Sequence, residues 1–425
     1  MKKILFSAAI ALLASHYTTA QNTRTDLPAP NATKSVMNFS KSEGWKDGNK
    51  PQAPAGLAVT KYAEGFQNPR WMYVLPNGDV LVAESNMNMN LLTKAGAAVT
   101  GADNSHDTKK SADRITLLRD ADKDGIPETR NYFIVNGLNQ PFGMLYMNGY
   151  IYVANTDAVV RFPYKEGQTS IADAPQKITD LRVSSKNQHW TRNIIANADN
   201  SKIYIAVGSS SNVAENGLEE EIERACIIEM NPDGSKKRIY AEGLRNPVGM
   251  DWAPGTQTLW TTVNERDGLG DDLVPDYLTS VKDGGFYGWP YSYWGQNIDT
   301  RVKDLKPELL KKTIVPEVDL GSHTASLGLA FYRGKSFPAR YHGGAFIAQH
   351  GSWNRSTLSG YKVVFVPFKN RKPSGKPEDF LTGFIADLEK DEVYGRPTGI
   401  VFLPDGSMLL TDDVENTIWR VAATK

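Results

Sequence analysis

A histidine and two arginines stand at equivalent positions of a sequence unit that recurs along the chain. His189 and Arg396 each open one copy of the unit, and the pair Arg245-Asn246 stands at the start of another. An arginine presents a rigid fork of donors to a carboxylate or a developing oxyanion, and a neutral histidine takes up a proton near neutral pH. If the copies meet at one rim, these residues predict a site for an anionic or oxyanion-forming ligand. The alternative is that they line a water-filled channel and bind nothing.

A group of carboxylates lies in the segment 262–277, TVNERDGLGDDLVPDY, which follows an apolar run. The acidic residues are Glu265, Asp267, Asp271, Asp272 and Asp276. Calcium prefers oxygen ligands, which include backbone carbonyls exposed at Gly and Pro turns. The segment is compatible with a calcium site and equally with a solvated acidic loop.

A second acidic segment begins like a calcium loop. Asp120, Asp122 and Asp124 are followed by glycine, in the pattern D-x-D-x-D-G. An EF-hand carries a bidentate glutamate at the twelfth position, where this chain has Asn131. The flanking sequences ITLL and YFIV are typical of strands. We therefore expect an acidic hairpin here, with a calcium site as the alternative.

Further histidines and aromatic residues are candidates for ligand binding. His323 precedes the fifth copy of the unit, and His350 and Arg355 lie in the sequence QHGSWNRS. None of the histidines shows the i, i+4 spacing of a helical metal motif, so a zinc site is not favoured. The run FYGWPYSYW at 286–294 would wall a pocket for a flat cofactor or a sugar ring, or simply cover a sheet.

The repeated unit predicts the fold. It comprises a small residue or proline, an apolar strand, a turn and a second apolar strand with a polar tip, and it recurs six times. Its openings are NPRWM at 68–72, QPFGM at 140–144, HWTRN at 189–193, NPVGM at 246–250, SLGLA at 326–330 and RPTGI at 396–400. Short β-branched and aromatic runs between turn residues indicate an all-β fold. Because one unit cannot bury both faces of its sheet, we expect a six-bladed β-propeller with four-stranded antiparallel blades over residues 53–425.

The N-terminal residues predict export. Lys2 and Lys3 precede an apolar run and a small-residue end, so residues 1–20 have the layout of a cleavable signal peptide. Residues 21–52 are polar, and we expect a flexible lead-in there. No later run approaches the ~20 apolar residues of a spanning helix, and no cysteine follows the cleavage site to carry a lipid. These features favour a periplasmic or secreted protein without a membrane anchor.

The overall composition excludes some classes of partner. The chain has 48 basic and 48 acidic residues, so no net field attracts nucleic acid or an anionic membrane. The single cysteine, Cys226, has no partner for an internal disulfide, and its apolar neighbours predict a buried structural thiol.

Several of these motifs together resemble the glucose/sorbosone dehydrogenase family. They are GLRNPVGM at 243–250, GGFYGWP at 284–290, the histidine that opens the third copy, and GRPTGIVFLPDGSMLLTDD at 395–413. VGSSSN at 207–212, NERDGLGDD and QHGSWNRS make the chain most similar to the L-sorbosone dehydrogenase branch. The resemblance implies a six-bladed propeller that holds pyrroloquinoline quinone and calcium at the top of its central channel.

The same resemblance assigns roles to individual residues. It implies that His189 is the general base, which removes the substrate hydroxyl proton as hydride passes to the quinone C5. It implies that Arg245 polarises the C5 carbonyl, that Asn246 contacts the cofactor, and that Arg396 is the first of two arginines on the cofactor carboxylates. The carbonyls that bind calcium would belong to Asp267 and Gly268.

At three positions the chain departs from the family pattern. Thr398 stands where the second carboxylate-binding arginine is expected, and Ser352 stands near the expected cofactor lysine. His350 and Arg355 are possible substitutes for this lysine. Ser209 replaces the carboxylate that orients the catalytic histidine.

The resulting hypothesis is an exported, quinone-dependent dehydrogenase. It would oxidise an aldose hydroxyl or a hydrated sugar aldehyde to a lactone or an acid. The sequence lacks the C-x-x-C-H motif of haem attachment, so electrons would pass to a separate acceptor. The alternatives are a metal-assisted propeller lactonase or hydrolase and a non-catalytic propeller that binds sugar or protein.

Overall fold

The computed structural model describes residues 27–424 except 47, 89–101, 105–109 and 185. The predicted signal peptide, residues 1–20, lies outside the described residues. The described chain is nearly all β, with one short helix, α1 (Pro307–Leu310), and 3-10 turns at Ala102–Asn104, Leu218–Glu221 and Ala339–Tyr341. In this part of the chain no helix has the length and apolar character needed to cross a membrane.

The repeated units form a series of antiparallel sheets. Strands β1 (Lys41–Ser42) and β2 (Leu57–Glu64) precede them in the chain. The first sheet contains β3 (Pro69–Val74), β4 (Val80–Glu84), β5 (Arg114–Arg119) and β6 (Thr129–Ile134). The second contains β7 (Met144–Met147), β8 (Tyr150–Ala154), β9 (Ala158–Pro163) and β10 (Gln176–Asp180).

The next two sheets come from the middle of the chain. The third contains β11 (Arg192–Ala196), β12 (Ile203–Val207), β13 (Cys226–Met230) and β14 (Arg238–Glu242). A fifth strand, β18 (Gly285–Phe286), pairs in parallel with β14. The fourth sheet contains β15 (Pro247–Trp252), β16 (Leu259–Val263), β17 (Pro275–Ser280) and β21 (Val318–Ser322).

The last two sheets complete the series and join the ends of the chain. One contains β22 (Ser326–Phe331), β23 (Ala345–Gln349), β24 (Lys362–Val366) and β27 (Glu378–Leu381). The other contains β30 (Pro397–Phe402), β31 (Met408–Asp412), β32 (Thr417–Ala423) and β2. Because β2 pairs antiparallel with β32, the first and last strands of the series lie in one sheet.

Smaller sheets accompany the main ones. Strands β19 (Ser292–Tyr293) and β20 (Asn297–Ile298) form a hairpin, as do β25 (Phe368–Lys369) and β26 (Lys372–Pro373). Strand β1 pairs in parallel with β29 (Glu392–Val393), which also pairs with β28 (Ile385–Asp387). The described sheets therefore vary in size between two and five strands.

The first strands of the six main sheets contact one another in a closed ring. Each of β3, β7, β11, β15 and β22 contacts the next first strand, and β30 contacts β3. Glycines of the repeated unit permit this approach: a Cβ at Gly249 would lie 2.5 Å from the Leu327 carbonyl, and one at Gly328 would overlap the Thr398 carbonyl. The small residue of the unit thus packs the ring tightly.

Burial follows from this stacking. The second and third strands of the sheets are buried on both faces, as in β4, β12 and β13, whereas the outer strands β10 and β14 are partly exposed. Near-continuous apolar runs are what a strand covered on both sides requires. Cys226 is fully buried, and burial raises the pKa of its thiol to about 12, which confirms an inert structural cysteine.

The described part of the N-terminal lead-in lies against the sheets. The Asn31 N–H donates to the Leu269 carbonyl at 2.8 Å, and the Phe39 ring stacks on Trp353 with centroids 5.7 Å apart. Further along, Trp45 Nε1 donates to Asp412 Oδ2 at 2.7 Å. From Leu27 onwards this polar segment therefore makes specific contacts, which its composition alone does not indicate.

Candidate functional site

The openings of the repeated units lie at one end of the ring. In the strand register, Pro69 pairs with Glu84, at the tip of the second strand, and Pro397 pairs in the same way with Asp412. These two units therefore place their opening residues beside the polar tip of the second strand. Five of the six openings contribute residues to one cavity at this end, namely Arg70, His189, Asn246, Leu327 and Arg396.

A cavity of about 230 Å³ lies at this rim. Four of the predicted site residues line it: His189, Asn246, His350 and Arg396. Its wall also includes residues that the sequence did not single out, namely Arg70, Trp190 and Trp353. The cavity thus combines cations, imidazoles and aromatic faces. Arg70 could have been found from its place in the first opening, NPRWM, next to the small residues of the unit.

His189 is held through its Nδ1 atom. This atom lies 2.9 Å from the carbonyl oxygen of Ser209 and 3.0 Å from its Oγ, and Ser209 Oγ donates to the Ser211 carbonyl at 2.6 Å. Because a carbonyl only accepts, Nδ1 carries the hydrogen and the lone pair is on Nε2. The Ser209 carbonyl therefore orients His189, a role that a carboxylate has in the family pattern.

The charge state of His189 suits a proton acceptor. Burial and the positive charge of Arg245 lower the pKa of His189 well below its usual value, and the hydrogen bond to Ser209 only partly opposes them. The imidazole is therefore neutral at neutral pH. Its Nε2 lone pair is free to take a proton from a ligand hydroxyl.

Asn246 and Gly208 build the wall beside His189. Asn246 is buried, and its Oδ1 makes no hydrogen bond within the described structure. A buried, unpaired amide oxygen is costly unless a ligand or a water completes it. A Cβ at Gly208 would overlap Asn246 Oδ1 and lie 2.6 Å from His189 Cβ. Only glycine lets both side chains keep these positions.

We expect Gly208→Ala to lower turnover at least about tenfold, because the methyl group displaces His189 and Asn246. We expect a loss of unfolding free energy of about 1–3 kcal/mol from overpacking. Steady-state kinetics and thermal unfolding measure the two effects. Gly149→Ala is the matched control, since a Cβ there has open space and any loss comes from its positive φ. Equal turnover in the two variants would contradict this role of Gly208.

His350 forms a pair with a carboxylate on the same cavity. Its Nε2 lies 2.8 Å from Asp413 Oδ1, and the other Asp413 oxygen pairs with Arg70. Burial and the charge of Arg396 lower the pKa of His350 to about 4, although Asp413 opposes the shift. His350 is therefore neutral, and Arg70 and Arg396 are the cations that line the cavity. The sequence did not single out Asp413, although it stands directly after the polar tip of the sixth copy.

Arg396 fixes the loop that carries His350. It is buried, and its Nε and Nη2 donate to the carbonyls of His350 and Gly351 at 3.0 and 2.9 Å. Its guanidinium carbon lies 5.4 Å from the centre of the Tyr361 ring. Thr398 is also buried, and its Oγ1 makes no hydrogen bond within the described structure. Thr398 and Ser352, which stand where the family pattern has its second arginine and its lysine, carry no charge. The second cation of the cavity, besides Arg396, is Arg70, which comes from another sheet.

Arg245 is buried behind the cavity rather than in its lining. Its Nη2 donates to Asn212 Oδ1 at 2.9 Å and lies 3.3 Å from Asp267 Oδ2, and its Nη1 donates to the Glu265 carbonyl at 2.7 Å. Arg245 and Asn246 stand at a bend just before β15, and of the two only Asn246 lines the cavity. Within the described structure Arg245 acts on the site through its charge and through this loop.

The predicted calcium carbonyls do not lie on the cavity. The Asp267 carbonyl accepts hydrogen bonds from Asn212 Nδ2 at 3.0 Å and from Arg301 Nη2 at 3.4 Å. The Gly268 N–H donates to Asn354 Oδ1 at 3.0 Å. A carbonyl that faces a guanidinium is not arranged for a calcium ion. This conformation does not fit calcium at Asp267.

Two carboxylates of the acidic segment 262–277, Glu265 and Asp276, are buried rather than solvated, whereas Asp272 is exposed. Burial raises the pKa of Glu265 to about 8 and that of Asp276 to about 6. Asp276 accepts the N–H groups of Glu265 and Ser326 at 2.9 and 2.7 Å. His323 contacts Asp267 Oδ1 at 3.1 Å; burial lowers the pKa of His323, but this contact outweighs it and the net shift is upward. These contacts hold the segment behind Arg245.

Arg355 lies on the outside of the same segment. Its Nη1 donates to the Asp271 carbonyl and its Nη2 to Asp272 Oδ1, both at 3.1 Å. It is not among the residues that line the cavity. The structure therefore separates Arg355 from His350, although the two are close in sequence, because its guanidinium pairs with these acidic residues.

The second acidic segment forms the expected hairpin, between β5 and β6. One oxygen each from Asp120, Asp122, Asp124 and Glu128 lies within 4.8 Å of the others. The N–H of Gly125 donates to Asp120 Oδ2 at 2.9 Å. The fourth carboxylate stands at the ninth position of the loop rather than the twelfth. Strand direction places this hairpin at the end of the ring opposite to the cavity.

The aromatic run 286–294 covers the third and fourth sheets. Its residues are buried, and Trp289 Nε1 donates to the Asn212 carbonyl at 3.0 Å. None of them lines the cavity at the rim. The aromatic residues that line the cavity are Trp190 and Trp353 instead.

The chain is similar to known sugar dehydrogenases in sequence. The profile of the Glucose / Sorbosone dehydrogenase family matches residues 143–364, more than half of the chain. An uncharacterized protein of Borreliella burgdorferi is 33% identical over 304 residues, which are 68% of this chain and 77% of that protein. The aldose sugar dehydrogenase YliI of Escherichia coli is 26% identical over 192 residues, 40% of this chain and 50% of that enzyme.

Solved structures share the fold. The holo form of the PQQ domain of pyranose dehydrogenase from Coprinopsis cinerea superposes with a TM-score of 0.69 at 18% identity, over 90% of this chain and 100% of that one. The PQQ-bound aldose sugar dehydrogenase of Streptomyces coelicolor gives a TM-score of 0.58 at 18% identity, over 88% and 100%. At such identities the likeness establishes the fold alone. By its sequence, the chain belongs to the glucose/sorbosone dehydrogenase family.

Proposed function

We propose that this protein is an exported, quinone-dependent dehydrogenase of sugars or sugar aldehydes, built as a six-bladed propeller. The observation that carries the proposal is the arrangement of one cavity. A neutral histidine with its lone pair on Nε2 shares that cavity with two arginines and an unpaired buried amide. The closed ring of six first strands supports the six-bladed architecture.

The cavity fits pyrroloquinoline quinone in its chemistry. This cofactor is a planar dione with three carboxylates, and it supplies a two-electron acceptor for hydride when bound. Arg396 and Arg70 would hold its carboxylates, and the Asn246 amide would complete its hydrogen bonds. Trp190 and Trp353 line the cavity and would give a planar ring apolar surface to pack against. The family match and the two PQQ-containing proteins that share the fold support a quinone as the cofactor.

His189 would perform the proton transfer of the oxidation. Its Nε2 accepts the proton of the substrate hydroxyl while the hydrogen on the same carbon leaves as hydride with its electron pair. The Ser209 carbonyl keeps Nδ1 as the donor and stabilises the imidazolium that forms. An aldose then becomes a lactone, and a hydrated aldehyde becomes an acid. The two electrons leave the protein through a separate acceptor.

A metal-assisted hydrolase has less support. Such a site needs side-chain carboxylates that converge on a metal. Asp267 instead contacts His323 and Arg245, and Asp272 pairs with Arg355. Within the described residues, the convergent carboxylates belong to the Asp120 hairpin at the other end of the ring.

A dye-reduction assay tests the proposal. Purified protein is incubated with pyrroloquinoline quinone, with and without calcium, and then given aldoses, sugar aldehydes and a dye acceptor. We expect quinone-dependent dye reduction with at least one sugar. The absence of dye reduction across the panel, with hydrolysis of a sugar lactone in its place, would support the hydrolase and overturn the dehydrogenase.

A further inference from the structure

Two arginines lie buried beside His189, and among the residues that the structure describes no carboxylate pairs with either of them. Arg192 is 0% exposed and Arg224 is 4% exposed. Every hydrogen bond that the structure gives them ends on a carbonyl or amide oxygen. Burying a guanidinium without a counter-ion is expensive compared with burying an apolar side chain. Stability alone therefore gives no reason for two of them.

The hydrogen bonds of both arginines converge on the residues that hold the imidazole. Arg192 Nη1 and Arg224 Nη2 each donate to the His189 carbonyl at 2.8 Å. Arg224 Nη2 also donates to the Ser209 carbonyl at 2.9 Å, and its Nε donates to the Gly208 carbonyl at 2.9 Å. These bonds tie the opening of β11 to the turn after β12.

The side chain of Asn187 connects the two arginines. Asn187 Oδ1 accepts from Arg224 Nη1 at 2.6 Å and from Arg192 Nη2 at 3.3 Å. The two guanidinium groups therefore act on the same turn rather than independently. The forked geometry of arginine, with donors in fixed directions, suits this use, and lysine could not make the same set of bonds.

We propose that Arg192 and Arg224 are positioning residues for catalysis, which fix the Ser209 carbonyl as the acceptor for His189 Nδ1 and so keep the Nε2 lone pair towards the cavity. This inference rests on the proposed role of His189 as the base. It adds two residues that do not touch the ligand and that neither repeat position nor family resemblance singled out. Their charges have a second effect, because a cation nearby disfavours the imidazolium.

Several charged groups surround His189. Arg192 lies on β11, Arg224 precedes β13, and Arg245 follows β14; all three lower the pKa of His189, after burial as the largest cause. Across the cavity stand Arg70, which pairs with Asp413, and Arg396. Removing the charge of Arg224 should therefore raise the pKa of His189, whereas a purely structural residue would leave it unchanged.

The test is a histidine NMR titration of the cofactor-free protein with labelled histidines, five of which lie outside the predicted signal peptide, and with His189→Gln to assign the resonance. We expect wild-type His189 to be the Nδ1–H tautomer and neutral at pH 7. In Arg224→Met we expect its titration to move to higher pH and the other tautomer to appear. In Arg224→Lys, which keeps the charge, we expect mainly the change of tautomer and a roughly tenfold lower kcat with little change in KM.

Controls and outcomes separate this inference from the proposed function. Arg333→Met serves as the control, because Arg333 pairs with Asp251 at the other end of the ring, and it should leave His189 unchanged. An unaltered titration and tautomer in both Arg224 variants would overturn the inference. If Arg224→Met does not fold, the tautomer of His189 in Arg224→Lys and in Arg192→Lys decides the question. The NMR measurement does not require catalytic turnover. A negative dye assay would therefore contradict the proposed dehydrogenase activity, whereas the effect of Arg192 and Arg224 on the His189 tautomer could still be measured.

Discussion

Glutamine in place of His189 is expected to lower kcat for sugar oxidation by about 10²–10⁴-fold, the usual contribution of a general base. Glutamine keeps a hydrogen-bonding group near the Ser209 carbonyl but has no basic lone pair. Since His189 is only one part of the cavity wall, we expect quinone affinity to change by less than about threefold. Stopped-flow reduction of the bound quinone measures the chemical step, and a fluorescence titration measures binding.

The pH profile gives this prediction a second readout. The base must be neutral to work, so kcat/KM falls on the acid side as His189 becomes protonated. Because the pKa of His189 is lowered, we expect the wild-type rate to stay flat down to a pH below the ordinary histidine value of about 6.5. His342→Gln is the control, since His342 Nε2 bonds to the Phe337 carbonyl away from the cavity. A His189→Gln variant with more than one-tenth of wild-type turnover would contradict its role.

The second large effect concerns Arg396. We expect Arg396→Lys to weaken quinone binding by about 10–100-fold, because charged hydrogen bonds of this kind are worth about 1.5–3 kcal/mol. Lysine keeps the charge but cannot donate to both the His350 and Gly351 carbonyls while it faces the ligand. The loop that carries His350 should therefore also shift. Equilibrium titration with the quinone measures the loss.

Arg355→Met supplies the matched control for Arg396. The sequence makes Arg355 an equally reasonable ligand for the cofactor, but its guanidinium pairs with Asp272 outside the cavity. We expect quinone affinity within about twofold of wild type in this variant. If Arg355→Met weakened binding as much as Arg396→Lys, the assignment of cations to the cavity would be incorrect.

The repeated unit made most of the architecture predictable. Its openings and polar tips recur in a fixed order, and paired strands necessarily place both at one edge. Hence the positions of His189, Asn246 and Arg396 on a common rim follow from the sequence. The pairing of β2 with β32 does not follow, since it joins residues more than 350 positions apart and no local pattern marks it.

The chemistry of the rim was less predictable than its location. The Ser209 carbonyl orients His189. Because every residue has a main-chain carbonyl, the residue type at position 209 does not predict this role. The same holds for Arg245, which the repeat places beside Asn246 but whose side chain faces the acidic segment. Arg70 and Asp413 were overlooked because each acts in combination with a residue from another sheet. Such pairings depend on tertiary packing, which a single copy of the unit does not encode.

Reduction of the bound quinone by substrate, followed in one turnover without oxygen, tests the central claim most directly. The protein is loaded with one equivalent of pyrroloquinoline quinone, and aldoses or sugar aldehydes are added while the absorbance spectrum is recorded. The account predicts stoichiometric conversion of the oxidised to the reduced spectrum by at least one sugar, and a rate lower by about two to four orders of magnitude in His189→Gln. A quinone that binds but stays oxidised with every sugar, or one that is reduced equally fast in both proteins, would contradict it.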